Sequence, residues 1–536
     1  MVSQHKQDDS FDLSRPLYLD SYGDSNYTSP DDDDSAVYLL DSQSARKPYA
    51  PLALLAEPFS LSYWRRIQKC AFRRAKRVKR GHSRVSEWLR RFLRFICALS
   101  GALLLIVIMI GTFFPSYTRL PMHYRSLRAR VRDGWEEGSA NTHQEKVYIA
   151  ATLFDPGGKL AAGDWAVNVL NLVHILGPEN VYLSIYENDS GEEALEALSK
   201  LESRVACNHT LVSDAPLNFD DLPHVILPDG TRRIKRIAYL AEVRNRALRP
   251  LEQAQIRFDK LLYINDIMFN PVEAAQLLFS TNVDHEGRAQ YRSACAVDFI
   301  NPFKFYDTFA TRDLDGFSMG VPWFPWFPAV GNEITLREVL SNSDAVRVRS
   351  CWGGMVAFDA RFFQNWQDEA ATIRTAGNNS SSNLTAPYRF RVEKELWWDS
   401  SECCLIQADI QSTDAANPGV YVNPYVRVAY DSRTLSWLWL SKRFEKLYTP
   451  VHIIADALAK LPDFNPRRKG VPWHTVEDDV WKYDDTKPAN GTWHEVSRMA
   501  KHDDFCGRRR LQVMKEVIRP EGKNWEFIEP PPLLIG

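Results

Sequence analysis

Phe258-Asp259-Lys260-Leu261-Leu262-Tyr263-Ile264-Asn265-Asp266 is a short apolar run that closes on a carboxylate. Its apolar core is continuous rather than alternating, the pattern of a strand buried on both faces. Open α/β sheets bind their ligands outside the carboxyl ends of the strands, and this strand delivers Asp266 to that edge. An acid there is placed to hold a divalent cation, Mn2+ or Mg2+, against a diphosphate. The competing reading is a helix N-cap or turn aspartate, since Pro271-Val272-Glu273-Ala274-Ala275 opens a helix just beyond. Asn265 is either a neutral second ligand or a residue that orients the loop.

Upstream, Lys146-Val147-Tyr148-Ile149-Ala150-Ala151-Thr152-Leu153-Phe154 has the same buried-strand pattern. Asp164 is positioned to N-cap a helix in which Trp165, Val169, Leu172, Val173 and Leu176 recur at helical spacing, with Gly177 as its stop. Val181 to Glu187 is the next strand. Strand, helix and strand in this order define a βαβ unit and a parallel sheet, so the fold class is α/β. A helix follows from Glu192 to Arg204, then another from about Thr231 to Leu251 that leads into the Asp266 strand. Glu187 and Asp266 both fall at carboxyl strand ends. In the third helix Ile237, Leu240, Ala241 and Leu248 form an apolar face flanked by Arg236, Tyr239 and Arg244. Guanidinium forks suit phosphate oxygens, which makes these residues donor-binding candidates beside a solvated-face alternative.

Downstream, Asp298, Asp307, Arg312 and Asp313 form a second polar set, from which a carboxylate near an anomeric carbon or an acceptor hydroxyl would come. Ser350-Cys351-Trp352-Gly353-Gly354 pairs a glycine turn with a strand, and the glycines permit close approach of a ligand or simply make a hairpin. Glu402 stands beside Cys403-Cys404 at the mouth of another expected strand, as an acid/base or metal-contacting candidate. Aromatic residues and prolines crowd Phe299 to Phe327, Trp323, Phe324, Trp326 and Phe327 among them. Such a stretch is either a sugar-stacking surface or a core wrap.

The chain has 536 residues, 45% hydrophobic, with a net charge of −2 that conceals a sharp asymmetry. Acidic, Ser- and Pro-rich residues near Asp31 read as disordered, and a basic run from Arg65 to Arg94 follows. Because that run abuts the uncharged segment Phe95 to Phe114, it reads as membrane-flanking, with no nucleic acid as partner. About 20 apolar residues match a bilayer core of about 30 Å. The expected organisation is a cytosolic tail (1–94), a transmembrane helix (95–114), a stem (115–145), a catalytic domain (146–435) and a C-terminal extension packed on it (436–536). Asn188, Asn208, Asn378, Asn379, Asn383 and Asn490 head glycosylation sequons after the span, and only Asn26 heads one before it. This bias favours a single-pass type II protein with a lumenal body. Six cysteines beyond the span form no zinc spacing and read as disulfide partners of undetermined connectivity.

The segments Tyr263-Ile264-Asn265-Asp266, Val297-Asp298-Phe299-Ile300-Asn301-Pro302, Phe305-Tyr306-Asp307-Thr308, Ser350-Cys351-Trp352-Gly353-Gly354 and Ser401-Glu402-Cys403-Cys404-Leu405 resemble the fungal capsule-associated α-1,3-mannosyltransferases of glycosyltransferase family 69. The resemblance runs in order from about residue 146 to about 430. It implies a GT-A-like, Rossmann-type nucleotide-sugar domain, a Golgi membrane anchor, GDP-mannose as donor, a mannose-containing glycan as acceptor, and retention assisted by a divalent metal. On that basis Asp266 is the metal residue, and Glu187, Arg236, Tyr239, Arg244, Asn265 and Arg312 bind the donor. Asp298, Asp307, Asp313 and Glu402 are the catalytic candidates, while Trp323, Trp352 and Gly353 face the sugar. One departure stands out: the usual Asp-x-Asp is here Asn265-Asp266-Ile267. The alternatives are a different donor or linkage on the same scaffold, or a silent membrane scaffold for polysaccharide assembly.

Overall fold

The structure is a computed structural model. It describes residues 84–533 apart from 189, 215–216, 218, 366–385, 463–464, 485–486 and 516–523. The acidic tail, most of the basic run and the sequons at Asn26, Asn378, Asn379 and Asn383 lie outside the described residues, as does the side chain of Asn490.

Eight strands build one sheet: β1 (Val147–Leu153), β2 (Val181–Asn188), β3 (Asn208–Asp214), β4 (Lys260–Ile264), β5 (Ser293–Phe299), β6 (Val346–Arg347), β7 (Met355–Asp359) and β8 (Val420–Ala429). Their order is β3-β2-β1-β4-β7-β5-β8-β6. The first four are parallel, as the βαβ pattern predicts. β7 then runs antiparallel to both β4 and β5, so the sheet is mixed rather than wholly parallel. The cause is local. Gly353 and Gly354 take φ of +63° and +68°, reversing the chain at the carboxyl edge and sending β7 back down.

Alternation along the strands feeds two cores. Tyr148, Ala150, Leu261 and Tyr263 point to one side, where helix α5 (Arg236–Glu252) contributes Ile237, Leu240 and Leu248. Ile149, Ala151, Leu262 and Ile264 point to the other, covered by α3 (Asp164–Leu176) and α6 (Pro271–Ser280). α4 (Glu192–Glu202) lies beside β3.

Four expectations shift. Asp164 is the first helical residue and Gly163 the N-cap, so its carboxylate favours the helix N-terminus by charge rather than by a capping hydrogen bond. α5 begins at Arg236, not near Thr231, because Arg232–Ile234 pairs with His224–Ile226 across a turn in which Gly230 takes φ +84°. The expected stem contains α2 (Met122–Asp133), whose Tyr124, Leu127 and Val131 are buried, and the Tyr124 hydroxyl accepts from Asn423 Nδ2 at 2.6 Å. This stretch is therefore part of the body. Finally, the boundary expected at 435 falls inside helix α9 (Ser432–Ser441), which follows α7 (Glu333–Leu340) and α8 (Glu402–Ile410).

The expected span lies in α1 (Arg84–Phe113), which is long and apolar enough to cross a membrane. The aromatic stretch proves mostly a core wrap. Phe299, Phe305, Phe309, Phe324, Trp326 and Phe327 are buried together, while Trp323 is partly exposed.

Two disulfides form among the described residues, Cys295–Cys351 and Cys404–Cys506, and Cys207 and Cys403 remain as buried thiols. The second closes a separation of 102 residues and fastens the C-terminal segment to α8. Cys506→Ser is expected to lower the unfolding free energy by about 2–4 kcal/mol. Denaturant melts of this variant against Cys207→Ser, which breaks no bridge, would check it.

Candidate active site

At the carboxyl edge of β4 the chain exposes two backbone groups to fixed partners. The Asn265 N–H donates to Gly354 O at 2.9 Å, and the Asn265 carbonyl accepts from Trp165 Nε1 at 3.0 Å. Asp266 is thereby held at the sheet edge, and it is buried. Its Oδ1 is a buried atom with no hydrogen-bond partner, and burial pushes its pKa up to about 7. Asp155, at the exit of β1, adds to that rise. The N-cap alternative is removed, because Asn270 caps α6 by accepting from Val272 N and Glu273 N.

Arg244 comes from the middle of α5 and packs its guanidinium 4.3 Å from the Trp352 ring centroid. Its Nε donates to Glu402 Oε1 at 2.9 Å and its Nη1 to Asn265 Oδ1 at 3.1 Å. All three partners are buried. The fork is thus directed at protein groups, so Arg244 positions Asn265 and Glu402 rather than presenting itself to a diphosphate. Trp352 is correspondingly not a sugar platform but the floor under Arg244. Glu402 opens helix α8, N-capped by Ser401, and not a strand as the sequence implied. Short apolar stretches such as Cys403 to Ala408 have no period that separates the two. Glu402 Oε2 is a second buried oxygen without a hydrogen-bond partner.

A neighbouring carboxylate pair lies at the ends of β5 and the loop after it. Asp298 Oδ1 accepts from Asp307 N at 3.1 Å and its Oδ2 from the Tyr430 hydroxyl at 2.9 Å. Asp307 Oδ2 accepts from Gly353 N at 3.3 Å. Burial first, and then the charge of Asp307, raise the Asp298 pKa well above the usual carboxylate range. Gly353 therefore serves this pair and the β5 backbone: a Cβ there would collide with Ala296 O. The close approach that the glycine permits is to protein, not to a sugar.

Other candidates are engaged elsewhere. Arg312 donates to the carbonyls of Phe309, Thr311, Phe505 and Cys506, which leaves its guanidinium tied to the chain rather than turned to a donor. Arg236 donates to Gln512 Oε1 at 2.6 Å and stacks 4.3 Å from the Trp525 ring centroid, on the C-terminal segment. Asp313 accepts from the backbone N–H groups of Asp315, Phe317 and Asn332 and so shapes its own loop. Its pKa is pushed up to about 6 by burial. Glu187 accepts from Ser190 N and Ser213 Oγ. Tyr239 is hydrogen-bonded by Asn188 Nδ2, at the exit of β2.

The sequence reading missed Asp155. Its carboxylate accepts from Leu160 N and Ala161 N, yet it neighbours Asp266. The signal was present, since Phe154-Asp155-Pro156-Gly157-Gly158 ends a buried strand on an acid and a turn, as the β4 run does.

The donor set bears directly on a metal. Among the described residues no group of three or more His, Cys, Asp or Glu forms a cation site. A closed protein cage is therefore absent there, but Mg2+-type sites commonly use one or two carboxylates and complete their shell with phosphate and water. The unpartnered Asp266 Oδ1 fits that demand. A separate cavity of about 660 Å³, lined by Glu145, Arg257, Asp259, Lys260, Arg292 and Asp359 among others, opens at the amino ends of β4, β5 and β8. It lies at the opposite edge of the sheet from Asp266, whereas ligands of open α/β sheets bind outside the carboxyl ends of the strands.

The sheet is mixed α/β, with its acids gathered at the carboxyl edge. Residues 146–409 match the family described as cryptococcal mannosyltransferase 1. No curated protein matches the chain. Among solved structures, similarity extends to the mannosyltransferase PcManGT from Pyrobaculum calidifontis in complex with GDP-Man and Mn2+. That match has 9% identity and a TM-score of 0.30, and covers 64% of this chain and 83% of that one. Mannosyl-3-phosphoglycerate synthase from Rubrobacter xylanophilus matches at 12% identity and a TM-score of 0.26, over 72% and 94%. TarS 1–349 from S. aureus matches at 9% identity and a TM-score of 0.26, over 53% and 60%.

Proposed function

We propose that this protein is a single-pass type II Golgi membrane enzyme. It transfers mannose from GDP-mannose to a mannose-containing glycan in α-1,3 linkage, with retention and with a divalent metal. The observation that carries the reading is the buried, unpartnered Asp266 oxygen at the carboxyl edge of the sheet, inside the region that matches a mannosyltransferase family. Asp266, with donor phosphates and water, would hold Mn2+ or Mg2+, which stabilises charge on a leaving diphosphate when bound.

The chain's own residues supply the rest. Arg244 fixes Asn265 beside Asp266 and neutralises Glu402, so the acids at the edge do not repel one another unopposed. The buried Asp298–Asp307 pair, fastened to Tyr430 and Gly353, would shape the sugar site through these partners. Retention by same-face attack needs no protein nucleophile, because the departing phosphate takes the acceptor's proton.

Incubation of the full-length protein with GDP-mannose, Mn2+ and α-mannobiose, followed by linkage mapping, tests this. An α-1,3-linked product with the α configuration kept is expected. Turnover confined to another nucleotide sugar, or another linkage, refutes the specificity; no turnover of any donor favours the silent scaffold.

A further inference from the structure

Helix α10 (Thr449–Ala459) is built inside out. Its buried residues are His452 and Asp456, while Val451, Ile453, Ile454 and Leu458 face outward. Leu458 is 80% exposed and Ile454 61%. The inward pair is held together at one end: His452 Nδ1 lies 3.1 Å from Asp456 Oδ2, and Asp456 Oδ1 accepts from Val321 N at 2.6 Å, while His452 Nε2 is buried without a hydrogen-bond partner. A helix folded against a core in water turns its apolar stripe inward, and leaving one outside forgoes roughly 25 cal/mol per Å².

The preceding helix repeats the pattern. In α9 Thr434, Leu438 and Ser441 are buried, and Trp437 and Trp439 are 52% and 62% exposed. A 3-10 segment (Lys442–Tyr448) joins the two helices and packs on both of them and on α1. Its Arg443 Nη1 donates to Gly111 O at 3.2 Å, and the Phe444 ring lies against Gly111, two residues before α1 ends. The outward apolar residues therefore adjoin the point where the membrane-length helix enters the body.

We propose that α9 and α10 form a lipid-docking face, seated in the interfacial layer of the bilayer that α1 crosses. Continuity with α1 selects this occupant. Tryptophan is at home at headgroup depth, and interfacial helices sink their apolar face about 5–10 Å. Arg443 and Lys446 then meet the phosphate layer. α9 starts two residues after Tyr430, whose hydroxyl holds Asp298, so the catalytic edge sits beside the membrane surface. The proposal rests on α1 spanning the bilayer and is independent of donor and linkage.

The test uses full-length Leu458→Cys carrying a fluorophore, in nanodiscs of phosphatidylcholine containing a shallow spin-labelled lipid. Leu195→Cys on α4 is the control, because β3 lies six strand spacings from β8, about 29 Å. The labelled parent protein gives the background from native thiols. Several-fold stronger lipid quenching at 458 than at 195, with shielding from aqueous iodide, is expected. Equal quenching at both positions overturns the proposal. So does shielding at 458 without lipid quenching, found only in discs holding two copies, which would make the face a dimer contact. A chain that does not enter discs removes the spanning helix and this proposal together, while leaving the enzymatic assay to stand or fall separately.

Discussion

Asp266→Asn is expected to reduce mannose transfer by about 10³-fold or more, and to abolish the Mn2+ dependence of nucleotide binding. The substitution keeps shape and removes only the charge that a cation would answer. The same change should raise thermal stability at pH 8 in the absence of metal. Burial lifts the folded-state pKa of Asp266 to about 7, above the ordinary value for an aspartate. A raised acid is neutral and harmless below its unfolded value, and stability is lost as pH climbs through the folded one. The loss runs at about 1.4 kcal/mol per pH unit between roughly pH 4 and 7. The neutral amide of the variant has no such loss, so the two proteins should melt alike near pH 4 and diverge steadily to pH 7, the variant higher. Added Mn2+ should close the gap from the parent's side only. Calorimetric melts with and without Mn2+, set beside radiolabelled transfer assays, check both halves. Full transfer activity in Asp266→Asn, or a lower melt at pH 8, would remove this residue from the site.

The pH trend and the topology share a cause, and both were partly visible in the chain. Continuous apolar runs announce β1, β2 and β4, and a run that ends in an acid announces Asp266, because burial on both faces leaves no alternation to misread. Periodicity along α3 and the apolar face of α5 were equally plain. Long-range pairing was not. β7 enters the sheet between β4 and β5 only because Gly353 and Gly354 turn the chain, and nothing local says which strands it will separate. Arg312 looked like a donor ligand until its carbonyl partners at Phe505 and Cys506 came in from nearly 200 residues away, at separations of 193 and 194. Trp352 looks like a sugar platform for the same reason, since its cation arrives from a helix more than 100 residues upstream. Polar residues declare their chemistry in sequence, but the partner that uses it is a property of the fold.

Arg244 carries the second large effect. Its buried ion pair with Glu402 joins positions 158 residues apart, and both side chains are almost wholly shielded from water. Removing one member of such a pair strands the other, so Arg244→Met is expected to destabilise the protein by about 3–5 kcal/mol. Removing both, in Arg244→Met with Glu402→Leu, should restore much of that loss, because no uncompensated charge remains. Arg244→Lys separates packing from geometry. It keeps a cation, but a point charge cannot serve Glu402 and Asn265 through two fixed donors at once. A smaller loss of stability with a large fall in kcat is therefore expected, with KM for the donor changed less. Denaturant melts of the three variants, together with their kinetics, decide the matter. A cost below about 1 kcal/mol for Arg244→Met, typical of an exposed pair, would mean that water reaches this guanidinium and that the edge is not the dry, preorganised site the distances describe.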